Sequence, residues 1–224
     1  MNDSTIHFSD RKALLQSLCR EIGACFASEI DSDLVSPFKT EIPAIDSLSS
    51  GGFPKNTLSE IIESSPSSGG NLLLYHLLER VKQQRGYVAL VDGNDSFAPD
   101  SVESSETLRH LYWVRCRTTK EAIRVSDLLA GDGNFSLLLI DLRRNDLNTL
   151  RRIPGNQWYR LQRAVQKSTC TCVAFTPQVL IPAAKLRLRL VSSFALSALD
   201  EDHTHLRDRL SAEPLSDSAI ERIG

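Results

Sequence analysis

The sequence predicts an α/β fold, a mainly parallel β-sheet flanked by helices, and three observations carry that prediction. Short apolar runs alternate with helical patterns from Pro43 onward, and strand–helix–strand repetition builds parallel sheets covered by helices. Runs such as Tyr87–Val91 and Ser136–Asp141 are apolar nearly throughout, the mark of strands buried on both faces. The chain has 224 residues, 41% hydrophobic and 24% charged, enough to bury a large core without disulfide or metal support.

Taken in order, Asp10 to Ser28 reads as an amphipathic helix. Leu14, Leu15, Leu18, Cys19, Ile22, Cys25 and Phe26 share one stripe, and Ser9 or Asp10 caps its start. Such a stripe either packs on its own domain or serves as a docking handle. Asp31 to Ser36 is a linker, which sets a first segment at 1–36. The core domain, 37–199, begins with a strand at Thr57–Ile62 and a helix at Asn71–Gln84, where Leu72, Leu73, Leu77, Leu78 and Val81 fall in register. A strand follows at Tyr87–Val91, another at Leu111–Arg115, a helix at Thr119–Ala130 and a strand at Ser136–Asp141. The series closes with a helix at Trp158–Lys167 and strands at Thr171–Thr176 and Lys185–Val191. The last alternates Lys and Arg with Leu, the pattern of a strand with one wet face. Residues 200–224 lose periodicity and gain Asp, Glu, Ser and Pro, which predicts a mobile acidic tail.

Net charge is −2, which excludes a globally basic nucleic-acid binder. The distribution is uneven. Residues 143–189 hold ten bases against Asp146 alone, a balance of +9. Residues 1–48 carry eight acids and four bases, and residues 200–224 seven acids and three bases, each a balance of −4. The belt comprises Arg143, Arg144, Arg151, Arg152, Arg160, Arg163, Lys167, Lys185, Arg187 and Arg189, with the aromatics Trp158 and Tyr159 beside it. Two readings stand: a grip on a phosphate backbone with stacked bases, or a solvated face paired with acidic segments or an acidic partner. Lys185, Arg187 and Arg189 alternate, so they would form a stripe on one strand face.

Five cysteines without close C-x-x-C spacing read as reduced thiols of a cytoplasmic protein. Cys170 and Cys172 read as core. The histidines offer no paired metal spacing, so no metal is expected, and His203 and His205 are read as solvated. No apolar run is long enough to span a membrane.

The loop after the first core strand reads Glu63-Ser64-Ser65-Pro66-Ser67-Ser68-Gly69-Gly70-Asn71 and opens a helix. Small residues there suit a phosphate cradle, because backbone N–H groups must converge on the anion; an ordinary strand–helix turn fits too. Against Gly-x-x-x-x-Gly-Lys-Ser/Thr, Glu63 or Ser64 stands at the first glycine, Gly70 at the lysine and Asn71 at the hydroxyl. Ser67, Ser68, Gly69, Gly70 and Asn71 are therefore read as a vestigial nucleotide loop. Asp141, ending a buried strand, is either the acid that would position magnesium or a loop cap.

Several segments resemble the RecA family. Lys12-Ala13-Leu14-Leu15, then Ile45 to Ile61 with Gly51-Gly52-Phe53-Pro54, is similar to the helix, Gly-Gly-Leu-Pro turn and Glu-Ile strand that open that family. Val88 to Asn94 resembles the strand reaching its catalytic glutamate, and Phe175-Thr176-Pro177-Gln178 the strand end with a nucleotide-sensing glutamine. The likeness implies a RecA-like core from about Lys12 to Leu190, with Asp141 and Gln178 retained. Gly70, Asn71 and Asn94 depart from the pattern, removing the phosphate lysine, the magnesium hydroxyl and the carboxylate base. Leu111 to Arg115, Glu121-Ala122, Leu161 to Ala164 and Ala183 to Leu190 further resemble the ImuA and SulA group of short RecA relatives. Only six residues separate Gln178 from Lys185, too few for the long DNA-binding loop of RecA.

The resemblance implies a non-hydrolysing accessory protein of the DNA damage response and translesion synthesis. Its implied partners are a Y-family polymerase relative or RecA, with single-stranded DNA an open alternative and no membrane. It also implies an N-terminal helix (Leu14, Leu18, Ile22, Phe26) that docks on a neighbouring subunit. No cofactor is expected, ATP with magnesium being the one candidate. The alternatives are a division inhibitor of the SulA type and a divergent DNA-stimulated ATPase that borrows a lysine such as Lys55 or Lys185.

Overall fold

Leu58–Ile62 (β1), Val88–Asp92 (β2) and Leu137–Asp141 (β4) are buried at every position, and Thr171–Thr176 (β5) is as well. These strands form the centre of one seven-stranded sheet in the order β3-β2-β4-β5-β1-β6-β7. Leu111–Arg115 (β3) closes one edge, Leu186–Leu190 (β6) follows β1, and Ala212–Pro214 (β7) closes the other edge. All pairings are parallel except β6 with β7. This computed structural model describes residues 36–215 apart from Glu103, Leu196, Leu199 and Asp200. The chain divides into two units, Met1–Ser36 and Pro37–Gly224, and every element named here belongs to the second. The Asp10–Ser28 helix, with Leu14, Leu18, Ile22 and Phe26, lies outside the described residues.

Alternation along each strand sorts the core into two layers. Val88, Leu90, Leu137, Leu139, Val173 and Phe175 pack with Leu73, Leu74, Leu77, Leu78 and Val81 of α1 (Gly70–Gln83). Ala89, Val91, Leu138, Ile140, Cys172 and Ala174 pack on the opposite face. There they meet α2 (Thr119–Ala130) through Ala122 and Ile123, and α3 (Gly155–Gln166) through Trp158, Leu161 and Val165. Each such buried leucine contributes about 2 kcal/mol of transfer free energy. This is the helix-flanked, mostly parallel α/β sheet expected, and it is consistent with a RecA-like core.

Local chemistry explains where the helices start. Thr118 accepts from the Glu121 amide at 3.2 Å, and Glu121 accepts from the Arg117 amide at 2.9 Å, a variant of the capping box. The start of α3 lacks a side-chain cap, but Gln162 accepts from the Leu58 amide at 2.7 Å and ties the helix to β1. At Gly52, with φ +138°, a Cβ would collide with the Phe38 carbonyl, so the Phe38–Phe53 bridge needs glycine there.

The expectation of a mobile tail is corrected for its described part. Asp202 accepts from the Thr204 amide at 2.7 Å and caps α4 (His203–Asp208). Leu210 is 2% exposed in the α1 layer, and β7 pairs antiparallel with β6. A short helix and a three-residue strand are too brief to show a period, so the Asp- and Glu-rich composition concealed them. Among the described residues, no helix is long and apolar enough to cross a membrane.

Candidate functional site

β1 and β4 both end at the carboxyl edge of the sheet, with β5 between them. Ligands of parallel α/β sheets sit beyond this edge. The loop after β1 makes a short 3-10 turn at Pro66–Ser68 and enters α1 through Gly69 at φ +91°. The loop after β4 carries Arg143, whose guanidinium lies 5.1 Å from the centre of the Phe175 ring on β5. It thus bridges from the end of β4 to the end of β1.

Arg143 is the centre of the site. Its Nη1 donates to Glu63 Oε2 at 2.6 Å, its Nε to Asp141 Oδ1 at 2.9 Å, and its Nη2 to Asp141 Oδ2 at 2.6 Å and Asn71 Oδ1 at 2.8 Å. The other Glu63 oxygen, Oε1, accepts from the Gly70 amide at 3.0 Å. The side chains are 9% exposed for Arg143, 7% for Glu63 and 4% for Asp141, so the three charges are nearly out of water. Burial lowers the arginine pKa, yet the Asp141 hydrogen bonds and the Asp141 and Glu63 charges outweigh it and hold the guanidinium above its ordinary value. The cluster is a satisfied network of two carboxylates on one cation.

That network fills the place where the sequence pattern puts phosphates and magnesium. Glu63, at the first-glycine position of the pattern, occupies the first helical amide and Arg143. Both Asp141 oxygens are engaged by Arg143, so a metal there would compete with the guanidinium. No cluster of three or more metal-ligating side chains occurs among the described residues. The cavity at the loop, lined by Glu63, Ser64, Pro66, Asn71, Arg143, Arg144 and Pro177, measures about 150 Å³. Small-molecule sites run from about 300 to 1,000 Å³, and this smaller cavity adjoins a groove that shares Pro66 and Asn71; what ATP with magnesium does not fit is the mutual pairing of Arg143, Glu63 and Asp141 as arranged. A Cβ at Gly70 would collide with Glu63 Oε2 and Arg143 Nη1, so a lysine there must evict the pair. Ser67 and Gly69 instead border a larger apolar groove of about 520 Å³ with Leu72, Tyr75, Phe194 and Leu206.

The remaining residues of the RecA-like pattern are tied elsewhere. Gln178 accepts from Arg151 Nη2 at 2.9 Å. Asn94 donates to the Arg144 carbonyl at 3.0 Å, and Asn145 donates to the Gly93 carbonyl at 2.8 Å, stitching the β2 and β4 loops together. Asp92 is fully buried and accepts from the Ser96 and Phe97 amides at 2.9 Å each, which makes it a loop anchor.

The basic belt does not form one surface. Arg143 belongs to the internal network. Trp158 is 2% exposed, so it is a core residue and cannot stack bases, a correction to its expected role. Arg187 is also corrected from a wet stripe to the interior: it is 4% exposed and lies opposite Glu60 in the β1–β6 register. Its Nε donates to Glu60 Oε2 at 3.3 Å and its Nη2 to the Ile181 carbonyl at 2.7 Å. Arg160 pairs with Asp127 and Arg189 with Glu213. Arg144, Arg152, Arg163 and Lys185 are exposed and make no ion pair among the described residues. The inward arginines were missed because charge runs read as surface; Glu60 within Leu58-Ser59-Glu60-Ile61-Ile62 was the available signal, since an acid inside an apolar strand needs a partner.

No protein-family model matches the chain, and no curated protein matches it significantly.

Proposed function

We propose that this chain is a non-hydrolysing, RecA-like accessory protein of the DNA damage response, working in translesion synthesis in the cytoplasm by binding protein partners. The observation that carries the non-hydrolysing part is the Glu63–Arg143–Asp141 network. A phosphoryl-transfer site needs a free cation, an accessible metal carboxylate and a base near water. Here the cation and the acid satisfy each other, and Asn94 supplies no base. The damage-response part follows from the likeness to the ImuA and SulA group, whose members act through contacts with other proteins. A Y-family polymerase relative or RecA is the partner this reading names. Exposed Arg144, Arg152, Arg163 and Lys185 favour an acidic or phosphate-bearing surface on whatever binds.

Calorimetry of the full chain with ATP and magnesium, with and without single-stranded DNA, tests the reading. No binding heat is expected in either case. Micromolar binding, or DNA-stimulated ATP hydrolysis in pure protein, overturns it. Co-purification with the polymerase relative is the matching positive test.

A further inference from the structure

We infer that Glu63 is an internal ligand of the loop, a carboxylate standing where an oxyanion would sit, so that the chain carries a phosphate-class anion pocket closed by its own side chain. This inference rests on the non-hydrolysing reading above and adds a gate to it.

Three features of two elements converge at one point. The Gly70 amide, first in the fourteen-residue helix α1, donates to Glu63 Oε1 at 3.0 Å. Arg143, nine-tenths buried, donates to Glu63 Oε2 at 2.6 Å. Position 70 has no Cβ, and one there would force the Glu63 carboxylate and the Arg143 guanidinium to shift, because both lie inside the space it would take. A helix amide and a buried guanidinium aimed at two oxygens of one group are the donors that recognise phosphate or carboxylate. The group they hold here comes from the same chain. It is held at high effective concentration because it is covalently attached seven residues before the helix start. A free oxyanion therefore has to displace a tethered competitor and also meets the Asp141 charge. Removing the tethered carboxylate leaves Arg143 with one carboxylate instead of two and frees the Gly70 amide.

The test is titration of inorganic pyrophosphate into full-length wild type, Glu63→Ala, and Glu63→Ala/Arg143→Met, read by calorimetry and by the shift in thermal midpoint at constant ionic strength. Glu63→Ala is expected to bind at least tenfold more tightly than wild type and to gain thermal stability with ligand, as mass action requires. Acetate is expected to raise the midpoint of Glu63→Ala and to leave wild type unmoved. The double variant is expected to lose the gain. Should Glu63→Ala fail to fold, Glu63→Gln keeps the side chain's size, removes its charge, and is expected to show the same tenfold direction. A folded variant with no gain, or a gain that survives Arg143→Met, overturns the inference. ATP binding by wild type instead overturns the non-hydrolysing reading, so the two failures are distinct.

Discussion

Replacing Arg187 by methionine is expected to destabilise the protein by about 3–5 kcal/mol, the usual cost of stranding one member of a buried ion pair. Glu60 is fully buried and accepts from Thr176 Oγ1 at 3.0 Å, the Leu180 amide at 2.8 Å, the Ile181 amide at 3.2 Å and Arg187 Nε at 3.3 Å. Arg187→Met removes the only charged donor among these and also frees the Ile181 and Pro182 carbonyls that Nη2 holds. At about 1.4 kcal/mol per decade the loss is roughly two to three and a half decades in the unfolding constant. With a urea slope near 3 kcal/mol per molar, the midpoint falls by about 1 to 1.7 M, followed by the fluorescence of buried Trp158. Glu60→Met/Arg187→Met is expected to recover part of this, since it leaves neutral amides unpartnered rather than a charge. Burial raises the Glu60 carboxyl pKa above its usual value, opposed by its hydrogen bonds and Arg187. A raised acid favours the folded state while protonated, and that contribution is lost as pH rises through the folded value. Losing Arg187 raises it further, so the penalty of Arg187→Met shrinks as pH falls and Glu60 becomes protonated. A midpoint change under about 0.3 M would refute the reasoning: the pair would then behave as a solvated one, and the basic face of β6 would be wet after all.

Further predictions concern other parts of the same unit. His76 is half-buried with Nε2 donating to the Thr40 carbonyl at 2.6 Å, and burial holds its pKa below the usual histidine range. Its contribution is present above the unfolded value and lost as pH falls below about 6.5, so wild type loses more urea stability between pH 7 and 5 than His76→Gln; equal losses would remove His76 from the account. Burial pushes the Cys116 thiol up to about 11 and the Cys170 thiol to about 12, so in Cys19→Ser/Cys25→Ser protein no thiol reacts with a disulfide reagent at pH 8 until urea is added. Rapid labelling of the folded variant counts against that placement. Leu210→Ala is expected to cost about 2–5 kcal/mol, where a mobile tail would give no change in urea midpoint.

Much of the fold was legible from periodicity because periodicity is a local property. The run Leu137-Leu138-Leu139-Ile140 feeds both core layers, and its uniform apolarity marks a strand covered on two faces. The stripe of Leu73, Leu77 and Val81 marks a helix packed on one side. The departures of Gly70, Asn71 and Asn94 from the RecA-like pattern were legible in the same way, residue by residue. What Glu63, Arg143 and Arg187 do was not, because each is decided by a neighbour far along the chain. Arg143 points inward because β5 seats its Phe175 between the ends of β4 and β1, bringing Glu63 within hydrogen-bond reach eighty positions away. Arg187 is buried because the parallel register sets it across from Glu60, and a one-residue slip would put it on the other face. The sequence alone therefore determined the layers and the positions that depart from the pattern it resembles. Tertiary structure decided which charges meet, since a buried charge is tolerated only where strand order and register supply its counter-charge.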